Sequence, residues 1–162
     1  MLSTKITKDE VESVLFREAD LLANGEFDTW LTLYTEDAIY WIPSNADDIN
    51  PMLHVSLVYD DRERMQERIW SIQSGVRWAQ DPRSRIRHFI SNIEITEEAG
   101  DEVVVSSSYA VFEIRRAIYG DRYFVGRCEH RLRRVGGEWK IARKKIELLN
   151  NDAPIENLTF IL

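Results

Sequence analysis

Asp37 and His88 are the side chains in this sequence best placed for acid–base chemistry. Asp37 opens the run Asp37-Ala38-Ile39-Tyr40-Trp41-Ile42-Pro43, and His88 lies on the apolar side of Ile86-Arg87-His88-Phe89-Ile90. A carboxylate or imidazole set in an apolar pocket has a perturbed pKa and can move protons near neutral pH. Tyr40 or Tyr109 would complete such a site. Each candidate also has a plainer role: Asp37 as a turn residue bonding its own backbone, His88 as a core histidine held by a neighbour. Nucleophilic chemistry would fall to Cys128 with His130, two residues on and on the same strand face, because nearby positive charge lowers a thiol pKa. A free cysteine in such a strand is more often a small buried residue. Arg127, Arg131 and Arg133 alternate along one face with Glu129, inside a basic run from Arg115 to Lys145. Guanidinium groups pair bidentately with carboxylates, so this face reads as a salt-bridge network at a candidate subunit contact.

Other chemistries lack their residues. His54, His88 and His130 are scattered, with no second histidine at a spacing that puts two ligands on one face. The single cysteine cannot form an intrachain disulfide or a Cys-rich zinc or iron–sulfur cluster, and a lone thiol fits a reducing compartment. No phosphate-cradling glycine loop or dinucleotide fingerprint occurs. A net charge of −7 repels phosphate backbones, which argues against nucleic acid. The start, Met1-Leu2-Ser3-Thr4-Lys5, lacks the pattern of a secretory signal, and no apolar stretch approaches the roughly 18–20 residues that span a bilayer. A cytoplasmic protein is expected, with no metal, cofactor or membrane contact of its own. Its 162 residues, 44% hydrophobic and 30% charged, suit one domain over residues 1–162.

The elements that must position these residues are legible in order. Thr7-Lys8-Asp9-Glu10 has capping-box spacing, and Val11, Val14, Leu15, Ala19 and Leu22 recur at helical intervals up to Asn24-Gly25. A short helix is expected around Phe27 to Tyr34, then a strand ending at Pro43, a polar loop over 44–52 and a strand from Val55 to Tyr59. A third helix should start near Asp60 or Asp61, with Met65, Ile69 and Ile72 inward and Arg62, Glu63, Glu67 and Arg68 outward. From Arg85 the period changes to two. The apolar phase slips near Ser91-Asn92, which implies a bulge in a curved strand. Strands over about Val103–Tyr119, Arg122–Val135 and Trp139–Leu149 follow, joined by tight turns. The tail ends in Leu158, Phe160, Ile161 and Leu162, apolar enough to dock on its own sheet or on a neighbour. Helices followed by an antiparallel meander give a cone-shaped α+β roll.

Several segments resemble the small (beta) subunits of bacterial aromatic-ring-hydroxylating dioxygenases. They are Glu18–Leu22, Trp30–Tyr34, Asp37–Pro43, Ser56–Asp60 with Arg68-Ile69, Asp81–Asn92, Gly126-Arg127, Leu132–Arg134 and Trp139–Lys144, so the likeness spans about residues 10–150. The resemblance implies a roll of the nuclear transport factor 2-like, cystatin-like type. It implies a trimer of small subunits packed on three large (alpha) subunits. Those alpha subunits would carry the Rieske [2Fe-2S] cluster and the mononuclear iron, with electrons arriving from an NADH-dependent reductase, with or without a ferredoxin. Ser56–Asp60 and Arg68-Ile69 look nearest to subunits serving benzoate-like substrates.

Two readings follow. In the first the chain is a non-catalytic structural subunit of a dioxygenase in an α3β3 assembly, with no active site of its own and with Arg127, Arg131, Arg133, Phe160 and Leu162 as candidate interface residues. In the second it is a free-standing isomerase, dehydratase or small-ligand binder. That reading requires Asp37, His88 and Tyr40 or Tyr109 to converge in an open cone cavity.

Overall fold

A computed structural model describes residues 5–44, 50–52, 56–74, 85–114, 121–149 and 161–162. Helix α1 (Lys8–Asn24) starts at a capping box in which Thr7 and Glu10 satisfy each other's backbone N–H groups. It stops at Gly25, whose φ of 71° suits a residue without a Cβ. Helix α2 (Phe27–Thr32) is shorter than the sequence suggests, because Tyr34 already begins strand β1 (Tyr34–Pro43). Strand β2 (Ser56–Asp61) leads into α3 (Arg62–Gln73), capped by the Asp61 carboxylate accepting from Arg64 N–H. Strands β3 (Arg85–Ala99), β4 (Glu102–Ile114), β5 (Arg122–Val135) and β6 (Glu138–Leu148) complete the chain.

The six strands form one sheet in the order β2-β1-β6-β5-β4-β3. All neighbours run antiparallel except β1 and β6, which are parallel. The phase slip near Asn92 is a bulge: the register with β4 shifts between Ser91 and Glu94, and Asn92 takes a φ of 52°. The slip turns Ile86, His88 and Ile90 on one side of it, and Ile93 and Ile95 on the other, toward the same core. The helices cover the inner face, with Val11, Leu15 and Leu22 of α1 and Met65, Ile69 and Ile72 of α3 packed into it.

Two arginines of α3 do not face solvent as the helical pattern suggests. The Arg62 guanidinium donates to the backbone oxygens of Leu31 and Tyr34 at 3.1 and 2.8 Å, tying the α2–β1 corner to α3. Arg68 pairs with the buried Asp60 at 2.7 Å. Among the described residues no helix is long and apolar enough to cross a membrane.

Candidate functional site

One register row crosses the middle of the sheet on its inner face. It joins Val105 of β4, His130 of β5, Lys144 of β6 and Tyr40 of β1. Lys144 points inward because β6 carries an extra residue: Ile141 pairs with Leu132, but Arg143 pairs with Arg131, so Ala142 bulges and the alternation reverses. Glu18 comes down onto this row from α1, where Val11, Leu15, Glu18 and Leu22 share the buried face.

The Glu18 carboxylate is the hub of the cluster. One oxygen accepts from Lys144 Nζ at 2.7 Å, Tyr34 Oη at 2.8 Å and Trp30 Nε1 at 3.4 Å. The other lies 2.7 Å from His130 Nε2, and His130 Nδ1 is 3.6 Å from Cys128 Sγ. Lys144 Nζ also donates to the backbone oxygen of Leu162 at 3.0 Å and reaches Tyr109 Oη at 3.5 Å. Tyr40 Oη donates to the same Leu162 oxygen at 2.9 Å and accepts from Leu162 N–H at 3.1 Å.

Burial opposes every charge here, and pairing decides the outcome. Burial alone would raise the Glu18 pKa, yet Lys144 and His130 outweigh it and hold the carboxyl well below its usual range. Burial alone would lower that of His130, but Cys128 and Glu18 carry it up to about 9. Burial likewise works against Lys144, and Glu18 more than compensates. The Tyr34 and Tyr40 hydroxyls are pushed up, by burial above all, and stay protonated.

The candidate acid–base residues separate. Tyr40 and Tyr109 stand beside Lys144, and the His88 ring leans on Tyr109 with centroids 5.6 Å apart. Neither His88 ring nitrogen has a partner among the described residues, and burial, aided by Lys144, lowers its pKa to about 3. Asp37 is elsewhere. Its carboxylate is exposed and accepts two hydrogen bonds from Arg133, both at 2.9 Å, and one from Thr35 at 2.7 Å. Those bonds hold its pKa low, and β1 turns it away from the inward Tyr40. Cys128 and His130 share a face as their spacing predicts, both fully buried.

On the outer face Arg133 bridges Asp37 and Glu102, Arg131 reaches Glu102 at 3.5 Å, and Arg143 bonds Glu129. Arg127 is exposed and borders a groove with Thr96, Ser106, Glu129, Lys145 and Glu147. Leu162, a candidate for the interface, is instead buried at 1% exposure, since its side chain joins the core and its backbone bonds Tyr40 and Lys144. Phe160 and His54 lie outside the described residues. Among the described residues no three His, Cys, Asp or Glu side chains cluster as a metal site would.

The cluster dictates how stability varies with pH. His130 binds its proton more tightly folded, at about 9 against 6.5, so its contribution is complete below pH 6.5 and lost as pH rises through 9. His88 is held neutral, so lowering pH from 6.5 toward 3 disfavours the fold, and Glu18 adds to this below its ordinary 4.5. Urea midpoints should therefore peak near pH 6.5. The alkaline limb should amount to about 3 kcal/mol and be absent in His130→Gln.

The sequence profile for the ring hydroxylating beta subunit matches residues 17–153. The small oxygenase component of the p-cumate 2,3-dioxygenase system of Pseudomonas putida is 34% identical, over 86% of this chain and 78% of that protein. The 2-halobenzoate 1,2-dioxygenase small subunit of Burkholderia cepacia is 31% identical over 93% of each. Among solved structures, the beta subunit of benzoate 1,2-dioxygenase from Burkholderia mallei superposes with a TM-score of 0.79 at 26% identity, covering 98% of this chain and 99% of that one. A nuclear transport factor 2-like protein with a cystatin-like fold from Novosphingobium aromaticivorans shares the fold, with a TM-score of 0.63 at 19% identity, over 90% of this chain and 84% of that one. With a family profile covering most of its length and a roll whose strands superpose on a beta subunit, this chain belongs to the ring-hydroxylating dioxygenase beta-subunit family.

Proposed function

We propose that this chain is a non-catalytic structural subunit that holds three alpha subunits of an aromatic-ring-hydroxylating dioxygenase in an α3β3 assembly in the cytoplasm. The observation that carries this reading, beyond kinship, is an aromatic stripe on the outer face of the sheet. Phe89, Phe112 and Tyr123, on adjacent strands β3, β4 and β5, are 59%, 44% and 67% exposed. Their rings contact in sequence, with centroids 5.4 and 6.3 Å apart. Exposed aromatic patches mark protein interfaces, and the arginine face of β5 continues this surface along the same strand.

The chain's own residues do not fit a Rieske centre. A Rieske cluster takes two cysteines and two histidines, whereas this sequence has one cysteine, and both ring nitrogens of His130 are engaged by Glu18 and Cys128. On this reading the [2Fe-2S] cluster and the mononuclear iron are carried by the alpha subunit. Electrons from NADH would reach it through a reductase, with or without a ferredoxin, without passing through this chain. The p-cumate and halobenzoate relatives support an aromatic carboxylate as substrate, in keeping with benzoate-like chemistry.

Chemistry within the roll would need an open interior. The described side chains fill it instead, with Trp30, Tyr34, Tyr40, Ile161 and Leu162 all at 2% exposure or less. In a complex reconstituted with the alpha subunit, Asp37→Asn and His88→Gln should leave turnover per iron unchanged. A loss of ten-fold or more with assembly intact would refute the non-catalytic role.

A further inference from the structure

The outer aromatic stripe is bordered by positive charge that its own chain does not answer. Arg87 stands beside Phe112 in the register, and Phe112 beside Tyr123. One step along, Arg85 stands beside Ile114, which is 54% exposed. Arg85, Arg87 and Phe89 alternate with the inward Ile86 and Ile90, so both guanidinium groups share the face of the rings. Neither arginine pairs with a carboxylate among the described residues.

Helix α3 carries the opposite combination. Glu63, Gln66, Glu67, Trp70 and Gln73 recur every three or four residues and form one exposed stripe. With Asp28 of α2 they line a groove of about 420 Å³ whose wall holds three carboxylates and no cation. Trp70, 65% exposed, lies among those carboxylates. Helix α3 packs on the inner face at β1 and β2, whereas the stripe lies on the outer face at β3, β4 and β5. The two surfaces therefore cannot meet within one chain.

We propose that each copy of this chain lays the outer face around Arg85, Arg87 and Phe112 against the α3 groove of the next copy, closing a head-to-tail trimer. A ring of three requires two different, complementary surfaces on every chain, because a self-complementary patch closes a dimer instead. These two surfaces supply that pair. The guanidinium groups can pair bidentately with Glu63, Glu67 and Asp28, and one can stack on the Trp70 ring. The rings of Phe89, Phe112 and Tyr123 become buried with Trp70, an aromatic centre of the kind that dominates interface energy. This inference rests on the proposed α3β3 assembly and names the surfaces through which its beta subunits meet.

Charge reversal in the full chain, read by sedimentation velocity, tests the pairing. Arg85→Glu with Arg87→Glu sets like charges against the groove, and Glu63→Arg with Glu67→Arg does the same from the other side. Each pair should weaken the trimer about a hundred-fold or more, leaving monomer at low micromolar concentration. The chain carrying all four reversals has opposite charges again and should return to a trimer. All four side chains are exposed, so urea midpoints should barely move and a change of mass reports association alone. Should the four-fold variant fail to fold, Trp70→Ala is the second arm, expected to weaken the trimer about ten-fold or more. A trimer that persists in either pair variant, a folded four-fold variant that stays monomeric, or a Trp70→Ala chain that associates as before would overturn the proposal. An unsubstituted chain that is monomeric alone yet forms a 3:3 complex with the alpha subunit would also overturn it, while leaving the scaffolding role standing.

Discussion

Glu18→Gln is expected to cost the fold about 3–5 kcal/mol, the usual effect of removing one member of a buried ion pair. Glutamine keeps the volume and one carbonyl oxygen, so little of the loss would come from packing. What changes is that Lys144 and His130 remain inside the roll after each has lost its 2.7 Å carboxylate partner. The loss should be largest below pH 6.5, where His130 is protonated even in the unfolded chain, and smaller at pH 9, where the folded-state proton leaves. Lys144→Met should be damaging alone. Combined with Glu18→Gln it should cost much less than the sum, because it removes one of the two orphaned cations. Urea denaturation of the four chains in that cycle measures the coupling. Additive losses would mean that the pair is not a unit.

Gly126→Ala should destabilise by about 3 kcal/mol or more, the upper range for forcing an extra carbon into a packed interior. Gly126 pairs with Tyr109 on one side and Leu148 on the other, in the inward row that includes Phe124 and Cys128. A Cβ there would meet the Glu147 backbone oxygen, with the Glu147 carbonyl carbon at 2.8 Å and the Leu148 Cα at 2.9 Å. All three are backbone atoms of a central strand, so no rotamer change relieves the contact. Gly100→Ala is the control, because nothing lies within 4 Å and only its φ of 61° is at issue. It should cost about 1 kcal/mol, the usual penalty for a left-handed residue with a Cβ. Similar losses at both glycines, read as shifts in the urea midpoint, would show that close approach between β5 and β6 is not what requires glycine at 126.

Features set by neighbouring residues were legible in the sequence. The Thr7–Glu10 capping box, the Gly25 stop, the helix start near Asp60 or Asp61 and the slip near Ser91-Asn92 each depend on a few adjacent side chains, and the structure has all four. The cluster was not legible, for reasons specific to its members. Glu18 lies at helical spacing with Val11, Leu15 and Leu22, but its charge disguises a core position until its partners are known. Lys144 is hidden by the bulge at Ala142, since alternation counted from Ile141 turns it outward and only counting back from Ile146 turns it in. Its partner, 126 residues away, cannot be found from local pattern. The parallel pairing of β1 with β6 is equally nonlocal, and it is what brings Tyr40 beside Lys144. Asp37 stands apart for an equally nonlocal reason: it lies near Tyr40 in sequence, but it pairs with Arg133 on the opposite face of the sheet.

The central claim is that this chain assembles rather than catalyses, and its mass in solution tests that most directly. Light scattering of the purified chain, alone and co-expressed with its alpha subunit, should give a trimer in the first case and a 3:3 complex in the second. A stable monomer or dimer that ignores the alpha subunit would contradict the account.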